Sequence, residues 1–195
     1  MNGEGTTRCR ASQGPLESMG ASALSTPIGP LWIAWLPEGI TMVRFGGDPA
    51  PEEERTRWMP ELEDLTDAPI PARIADALGR YFAGEPIDPA MLPVRIGGTR
   101  FQRRVWTALR KVPRGEVRTY AGLAAAVGSP RATRAIGMAM AHNPLPIVVP
   151  CHRVVAAGLS LGGFSGGLDT KRALLALEGV KVEGERVLLG QLDLL

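Results

Sequence analysis

Two neighbouring residues, Cys151 and His152, are where chemistry can first be read from residue type and spacing in this chain. A thiolate is a strong nucleophile near neutral pH, and an imidazole is the side chain best suited to generate one. The pair lies in Asn143-Pro-Leu-Pro-Ile-Val-Val-Pro-Cys-His-Arg-Val-Val. That segment predicts a short buried strand at 147–149, stopped by Pro150, and a helical turn opening at Cys151. Free backbone N–H groups at such a turn, with Arg153 beside them, would favour the thiolate. A direct bond between adjacent side chains is geometrically awkward, so a bridging water is the expected proton relay. The competing reading is a cysteine buried as a small hydrophobe.

Little else in the chain could supply redox or metal chemistry. Cys9 and His142 are the only other Cys and His, and no Cys-x-x-Cys spacing exists. A disulfide scaffold or zinc site is therefore not expected, and neither a metal nor a cofactor is called for. With 195 residues, 45% hydrophobic and 22% charged, the composition is that of a soluble protein. Collagen, wholesale disorder and a membrane bundle are excluded. No apolar run reaches the roughly 18 residues of a spanning helix, and the first residues lack the apolar core of a secretory signal. A cytoplasmic protein with no membrane contact is expected.

The elements that must position Cys151 follow from periodicity. Residues 1–27 lack it and read as a disordered tail. The stretch 31–45 predicts a hairpin turning at Pro37-Glu38-Gly39, and 46–69 a short strand or helix. Apolar Ile74, Leu78 and Phe82 predict a helix over 72–82, and 84–98, with three prolines, reads as a linker. Thr99 then caps a helix whose apolar stripe is Phe101, Val105, Trp106 and Leu109. Thr119 caps another over 120–127, and Gly128 ends it. Ser129 and Pro130 open a third helix running to His142, completing a helix-turn-helix pattern.

Charge is divided along the chain. Residues 1–97 hold 8 Lys+Arg and 14 Asp+Glu, whereas 98–195 hold 14 and 6. Between Arg100 and Arg172 the only acids are Glu116 and Asp169 against 12 cations, which suits a polyanionic partner or a solvated face. The helix after Pro130 carries Ala132, Ala135, Gly137, Ala139 and Ala141 with Arg131 and Arg134 near its start. Its small residues permit close approach, either to another helix or to a DNA groove.

Pro150-Cys151-His152-Arg153-Val154 resembles the active-site signature of the O6-alkylguanine-DNA alkyltransferases, the methylated-DNA–protein-cysteine methyltransferases. The resemblance extends over about 80 residues, through Gly98-Thr-Arg-Phe-Gln, Val105-Trp106, Gly115-Glu116, Tyr120, Arg134-Ala-Ile-Gly137, Asn143-Pro144, Ser165-Gly-Gly and Glu178-Gly179. It implies an α/β (α+β) fold: a small ribonuclease H-like sheet-plus-helix domain over 28–90 and a linker at 91–97. A winged helix-turn-helix DNA-binding and catalytic domain would span 98–182, before an extension at 183–195. It implies direct-reversal repair, with Cys151 taking the alkyl group from O6-alkylguanine, and O4-alkylthymine as a second candidate substrate, in a single irreversible turnover. His152 would accept the thiol proton through water, Glu178 would orient the imidazole, Tyr120 would donate to the departing base, and Asn143 would brace the turn. Val154, Ser165 and Phe164 would contact the flipped guanine. Arg134 would enter the base stack, with Thr119, Arg131, Ala135 and Gly137 along the minor groove. The partner would be double-stranded DNA carrying the lesion, bound by a monomer able to cluster on it. Phe164 stands where the family usually has Tyr, and the usual glycine before that loop is displaced, Gly158 being followed by Leu159. A protein that binds lesions or DNA without catalysis, and a Cys–His hydrolase, are the alternatives.

Overall fold

A computed structural model of the chain describes residues 16, 18–58 and 67–188. The N-terminal half is an antiparallel sheet in the order β1 (Gly20–Leu24), β2 (Leu31–Leu36), β3 (Gly39–Phe45). Central β2, Leu-Trp-Ile-Ala-Trp-Leu, is buried along five of its six residues, so both faces are covered. Strand β1 lies within the stretch 1–27 expected to be structureless. Ala21 pairs with Ala34, and Leu16 is buried with its N–H on the Pro37 carbonyl at 2.6 Å. A strand of Ala and Ser shows little hydrophobic contrast, and the partner strand supplies what the segment lacks. Residues 1–15, including Cys9, lie outside the described residues.

Helices α1 (Glu52–Trp58) and α2 (Ala72–Phe82) flank the sheet, α2 with the predicted bounds and with Ile74, Leu78 and Tyr81 inward. The expected linker is not free. A 3₁₀ turn, Pro89–Met91, is followed by backbone bonds of β3 Ile40 to Pro93 and Arg95. Gly98 then turns the chain at φ 87°, where a Cβ would lie 3.0–3.1 Å from the Trp106 and Trp58 rings.

The C-terminal half opens with α3 (Arg100–Leu109), held by a Thr99/Gln102 capping box. Next come β4 (Arg118–Thr119), α4 (Tyr120–Ala126) capped by the Thr119 hydroxyl, and α5 (Thr133–Ala141). α5 starts three residues after Pro130, because Ser129–Ala132 closes a turn of its own with proline at its second position. Residues 147–149 are buried but form turns, not a strand. Pro144, Pro146 and Pro150 remove ladder donors, and Ile147 sits at φ 74°. A 3₁₀ turn, Cys151–Arg153, leads into β5 (Val154–Val155), parallel to β4. Helix α6 (Leu168–Leu177) and the hairpin β6 (Lys181–Glu183), β7 (Arg186–Leu188) complete the described chain, so the hairpin crosses the boundary expected at 182. One apolar cluster runs from β2 and β3 through α2 and α3 to Cys151 and Leu174. Among the described residues no helix is long and apolar enough to cross a membrane.

Candidate active site

Cys151 lies 6% exposed at the base of a pocket of about 370 Å³. Tyr120 from α4 and Gly137 and Met140 from α5 form one wall. Phe164 and Ser165, from the loop before α6, form the other. The loop is held by the N-terminal sheet: Phe164 packs edge-on against Phe45 at 5.7 Å, and a Cβ on Gly166 would lie 2.7 Å from the Phe45 ring. On its far side Phe164 faces the His152 ring at 6.5 Å.

The sulfur is positioned by Asn143. Its Nδ2 donates to the Val149 carbonyl at 2.8 Å and to Cys151 Sγ at 3.0 Å, while Oδ1 accepts the Leu145 N–H at 3.0 Å. One side chain thus ties the end of α5 to the proline-rich turn and the thiol. Burial pushes the Cys151 thiol up, against the Asn143 bond, the Lys171 charge and nearby backbone amides. The resting sulfur is therefore protonated and needs a base.

His152 is fully buried, and Nε2 lies 2.9 Å from Glu178 Oε1. Burial also disfavours the imidazolium, and Arg153 already neutralises Glu178, so the resting ring is neutral. A carboxylate only accepts, so Nε2 carries the proton and Nδ1 the lone pair. Nδ1 is buried without a hydrogen-bond partner among the described residues. It is the nitrogen free to take a proton.

Glu178, the residue ending α6, is buried rather than on the helix surface that an isolated carboxylate would favour. Oε1 accepts from Tyr81 Oη at 2.8 Å, His152 and Arg153 Nη2 at 2.8 Å, and Oε2 accepts from Arg153 Nε at 2.9 Å. Burial alone would raise this carboxyl, but the His152 and Arg153 bonds outweigh it and hold it well below the usual carboxylate range. Arg153 does not face the sulfur, as its position beside Cys151 suggested. A 3₁₀ turn sends residues i and i+2 in different directions, and Arg153 instead bridges Glu178 to Asp88.

The cation toward the sulfur is Lys171, which sequence reasoning missed. It is fully buried, donates to the Val154 carbonyl at 2.6 Å and to that of Leu161, and is pulled down to about 8 by burial. A signal existed: Lys171, Leu174, Leu175 and Glu178 occupy one i, i+3, i+4, i+7 stripe, so two charges sit on the buried side of α6. Tyr81 was also missed. It comes from α2, 97 positions from Glu178, and no local pattern links them.

The other predicted residues divide. Tyr120, Phe164 and Ser165 line the pocket with Cys151. Tyr120 stays protonated, raised by burial and by the neighbouring sulfur. Val154 is buried behind the pocket with its carbonyl on Lys171. Thr119 spends its hydroxyl on the α4 cap. Arg131, Arg134 and Ala135 are exposed. The small residues of α5 serve two purposes: Ala139 is buried, its carbonyl accepting from Trp106 Nε1 at 2.9 Å, whereas a Cβ on Gly137 would meet nothing within 4 Å. Gly158 and Leu159 both take positive φ, 68° and 63°, at the displaced glycine. Among the described residues no cluster of three or more His, Cys, Asp or Glu could hold a metal.

Two family models match the chain: the 6-O-methylguanine DNA methyltransferase ribonuclease-like domain over residues 20–96, and its DNA binding domain over 100–180. The methylated-DNA–protein-cysteine methyltransferase of Mycobacterium bovis is 42% identical over 155 residues, covering 80% of this chain and 89% of the relative. That of Methanosarcina acetivorans is 41% identical over 156 residues, covering 79% and 94%. The crystal structure of Mycobacterium tuberculosis OGT in complex with DNA superposes with a TM-score of 0.71 at 38% identity, covering 82% of this chain and 93% of that one.

Proposed function

Because the chain belongs to the methylated-DNA–protein-cysteine methyltransferase family, we propose that Cys151 is the acceptor in a direct-reversal repair of O6-alkylguanine in duplex DNA. The observation that carries the assignment is a buried cysteine at the base of the pocket, next in sequence to an imidazole whose Nδ1 has no hydrogen-bond partner among the described residues. The S–H proton passes through water to Nδ1. The sulfur lone pair attacks the alkyl carbon, and the C–O pair leaves with the guanine oxygen. The Tyr120 O–H and the Ser165 hydroxyl meet the charge gathering there. Each charge made in the step arises beside an opposite one: thiolate near Lys171, imidazolium on Glu178. The Val154 carbonyl keeps a second lone pair for the guanine amino group. The thioether product cannot be hydrolysed here, so each molecule acts once.

Intact mass before and after incubation with a duplex carrying O6-methylguanine tests this. A gain of one methyl group, mapped to Cys151 and stopping there, is expected. Tight binding without any gain would make the protein a lesion binder instead. A reactive free thiol fits a reducing compartment, which supports a cytoplasmic location.

The target carbon is inaccessible in a stacked duplex, so the nucleotide must be extruded at a cost of a few kcal/mol. Arg134, exposed on α5 and without an ion-pair partner among the described residues, is assigned to the vacated place in the stack. Arg134→Ala is expected to slow transfer from duplex DNA by up to about 100-fold, the rate loss matching that stacking cost, while leaving reaction with free O6-alkylguanine base unchanged. Equal slowing of both would remove the assignment.

Gly137 carries the cost of close approach to DNA. Gly137→Ala is expected to stabilise the fold by about 1 kcal/mol, since the methyl enters open space and the helix gains propensity. The same methyl stands on the surface that must reach the groove, so duplex repair should slow. Thermal melts and single-turnover transfer rates check both signs.

A further inference from the structure

Away from the pocket, the most uniformly charged feature is the outer face of α3. Arg100, Arg103, Arg104, Thr107 and Ala108 fall on one stripe of α3 and, with Lys111 from the turn that follows it, line an open groove of about 430 Å³, completed by the end of α4. No carboxylate lines it. Several surface arginines elsewhere are matched, Arg44 by Glu54, Arg57 by Glu53, Arg80 by Glu85, Arg118 by Glu116 and Arg172 by Asp169. In the groove, Arg103 and Arg104 donate to the backbone carbonyls of Gly98 and Val127. Arg100 and Lys111 have no hydrogen-bond or ion-pair partner among the described residues. A row of like charges left uncompensated on a rigid helix attracts a polyanion.

The row leads into the surface assigned to DNA. Arg104 reaches the carbonyl of Val127, and the turn from Gly128 to Ala132 runs from there to exposed Arg131 and Arg134. A phosphate backbone passing the start of α5 therefore meets α3 next. We propose that the outer face of α3 is a second phosphate track, holding duplex DNA that flanks the extruded nucleotide. The proposal rests on the DNA reading above, but its test is separable from alkyl transfer.

Arg100→Gln/Lys111→Gln removes two cations that support nothing else in the fold. Affinity for undamaged duplex is measured against salt concentration, with one duplex long enough to reach the groove and one confined to the α5 contact. On the long duplex the variant should bind about 10-fold more weakly at physiological salt, with a log–log slope shallower by about 2, since each neutralised phosphate contributes about 0.9. On the short duplex the two proteins should coincide, and transfer from free O6-alkylguanine base should be unchanged. Arg100→Glu/Lys111→Glu should weaken long-duplex binding further. Unchanged slopes on the long duplex would overturn the track. So would equal slope losses on both duplexes, which would mean a diffuse field. Loss of protein–protein association with unchanged slopes would also overturn it, assigning the groove to the acidic half of a second copy. If the long-duplex slope falls as expected but the parent protein gains no alkyl group, the track stands and the repair reading fails.

Discussion

A Cys151→Ala protein is expected to gain no mass from a duplex containing O6-methylguanine, while binding that duplex as tightly as the parent or more so. The loss should be complete, because no nucleophile of comparable strength lines the pocket: the Met140 sulfur is an uncharged thioether, and the hydroxyls of Tyr120 and Ser165 belong to groups far too weakly acidic to ionise there. Cys151→Ser tests the same point with a smaller change in shape. Its hydroxyl can still accept from Asn143 Nδ2, yet His152 cannot ionise an alcohol enough for it to displace guanine. Both variants should fold, at a cost of about 1 kcal/mol or less for losing one small buried group. Transfer by either would move the acceptor elsewhere and undo the assignment.

Glu178→Gln should be costly in both stability and rate. The carboxylate accepts four hydrogen bonds and is the nearer counter-charge of the buried Arg153 guanidinium. An amide of the same shape turns a donor toward donors and leaves Arg153 with Asp88 alone. Breaking a buried pair in this way costs about 3–5 kcal/mol. The imidazolium formed during transfer also loses its partner, and removing such support to a general base lowers rates about 100-fold or more. Denaturant titrations and transfer rates measured under native conditions separate the two effects. Tyr81→Phe, which removes one of the four bonds and no charge, should fall between parent and Gln variant.

These residues also set the response to pH. The Glu178 carboxyl is held below its ordinary value of 4.5 in the fold, so its stabilisation is complete above about pH 4.5 and is lost as pH falls from there toward the lower folded value. Glu178→Gln should abolish that part of the acid slope. For transfer, the imidazole must start neutral and Lys171 charged. The rate should therefore hold from below pH 6.5 up to about 8 and decline beyond it as Lys171 deprotonates.

How much of this could be read in advance depended on whether the determining contact was local. The α2 bounds, the Thr99 and Thr119 caps and the turn opening at Cys151 follow from neighbours within four positions, and they appear where the pattern put them. Strand β1 and the bridge from β3 to the expected linker depend on pairing with distant backbone, for which Gly20–Leu24 and residues 93–95 carry no periodic mark. The strand expected at 147–149 failed because three prolines and an Asn143 side chain bonded to the turn outweighed three β-branched residues. At the site, the reactive pair was legible from residue type. What sets its acidity was not, since Tyr81, Asp88 and Lys171 reach it from three separate segments.

Tyr81 and Asp88 come from the half that carries the sheet, yet both end on the groups that hold His152, and one apolar cluster runs beneath them. Neither half can melt without stripping the other of buried hydrogen bonds and packing. Heating should therefore produce a single calorimetric transition instead of two. The boundary between residues 96 and 100 separates two family domains but not two units of unfolding. A C-terminal half expressed alone would retain its sulfur but leave Glu178 and Arg153 short of donors and counter-charge.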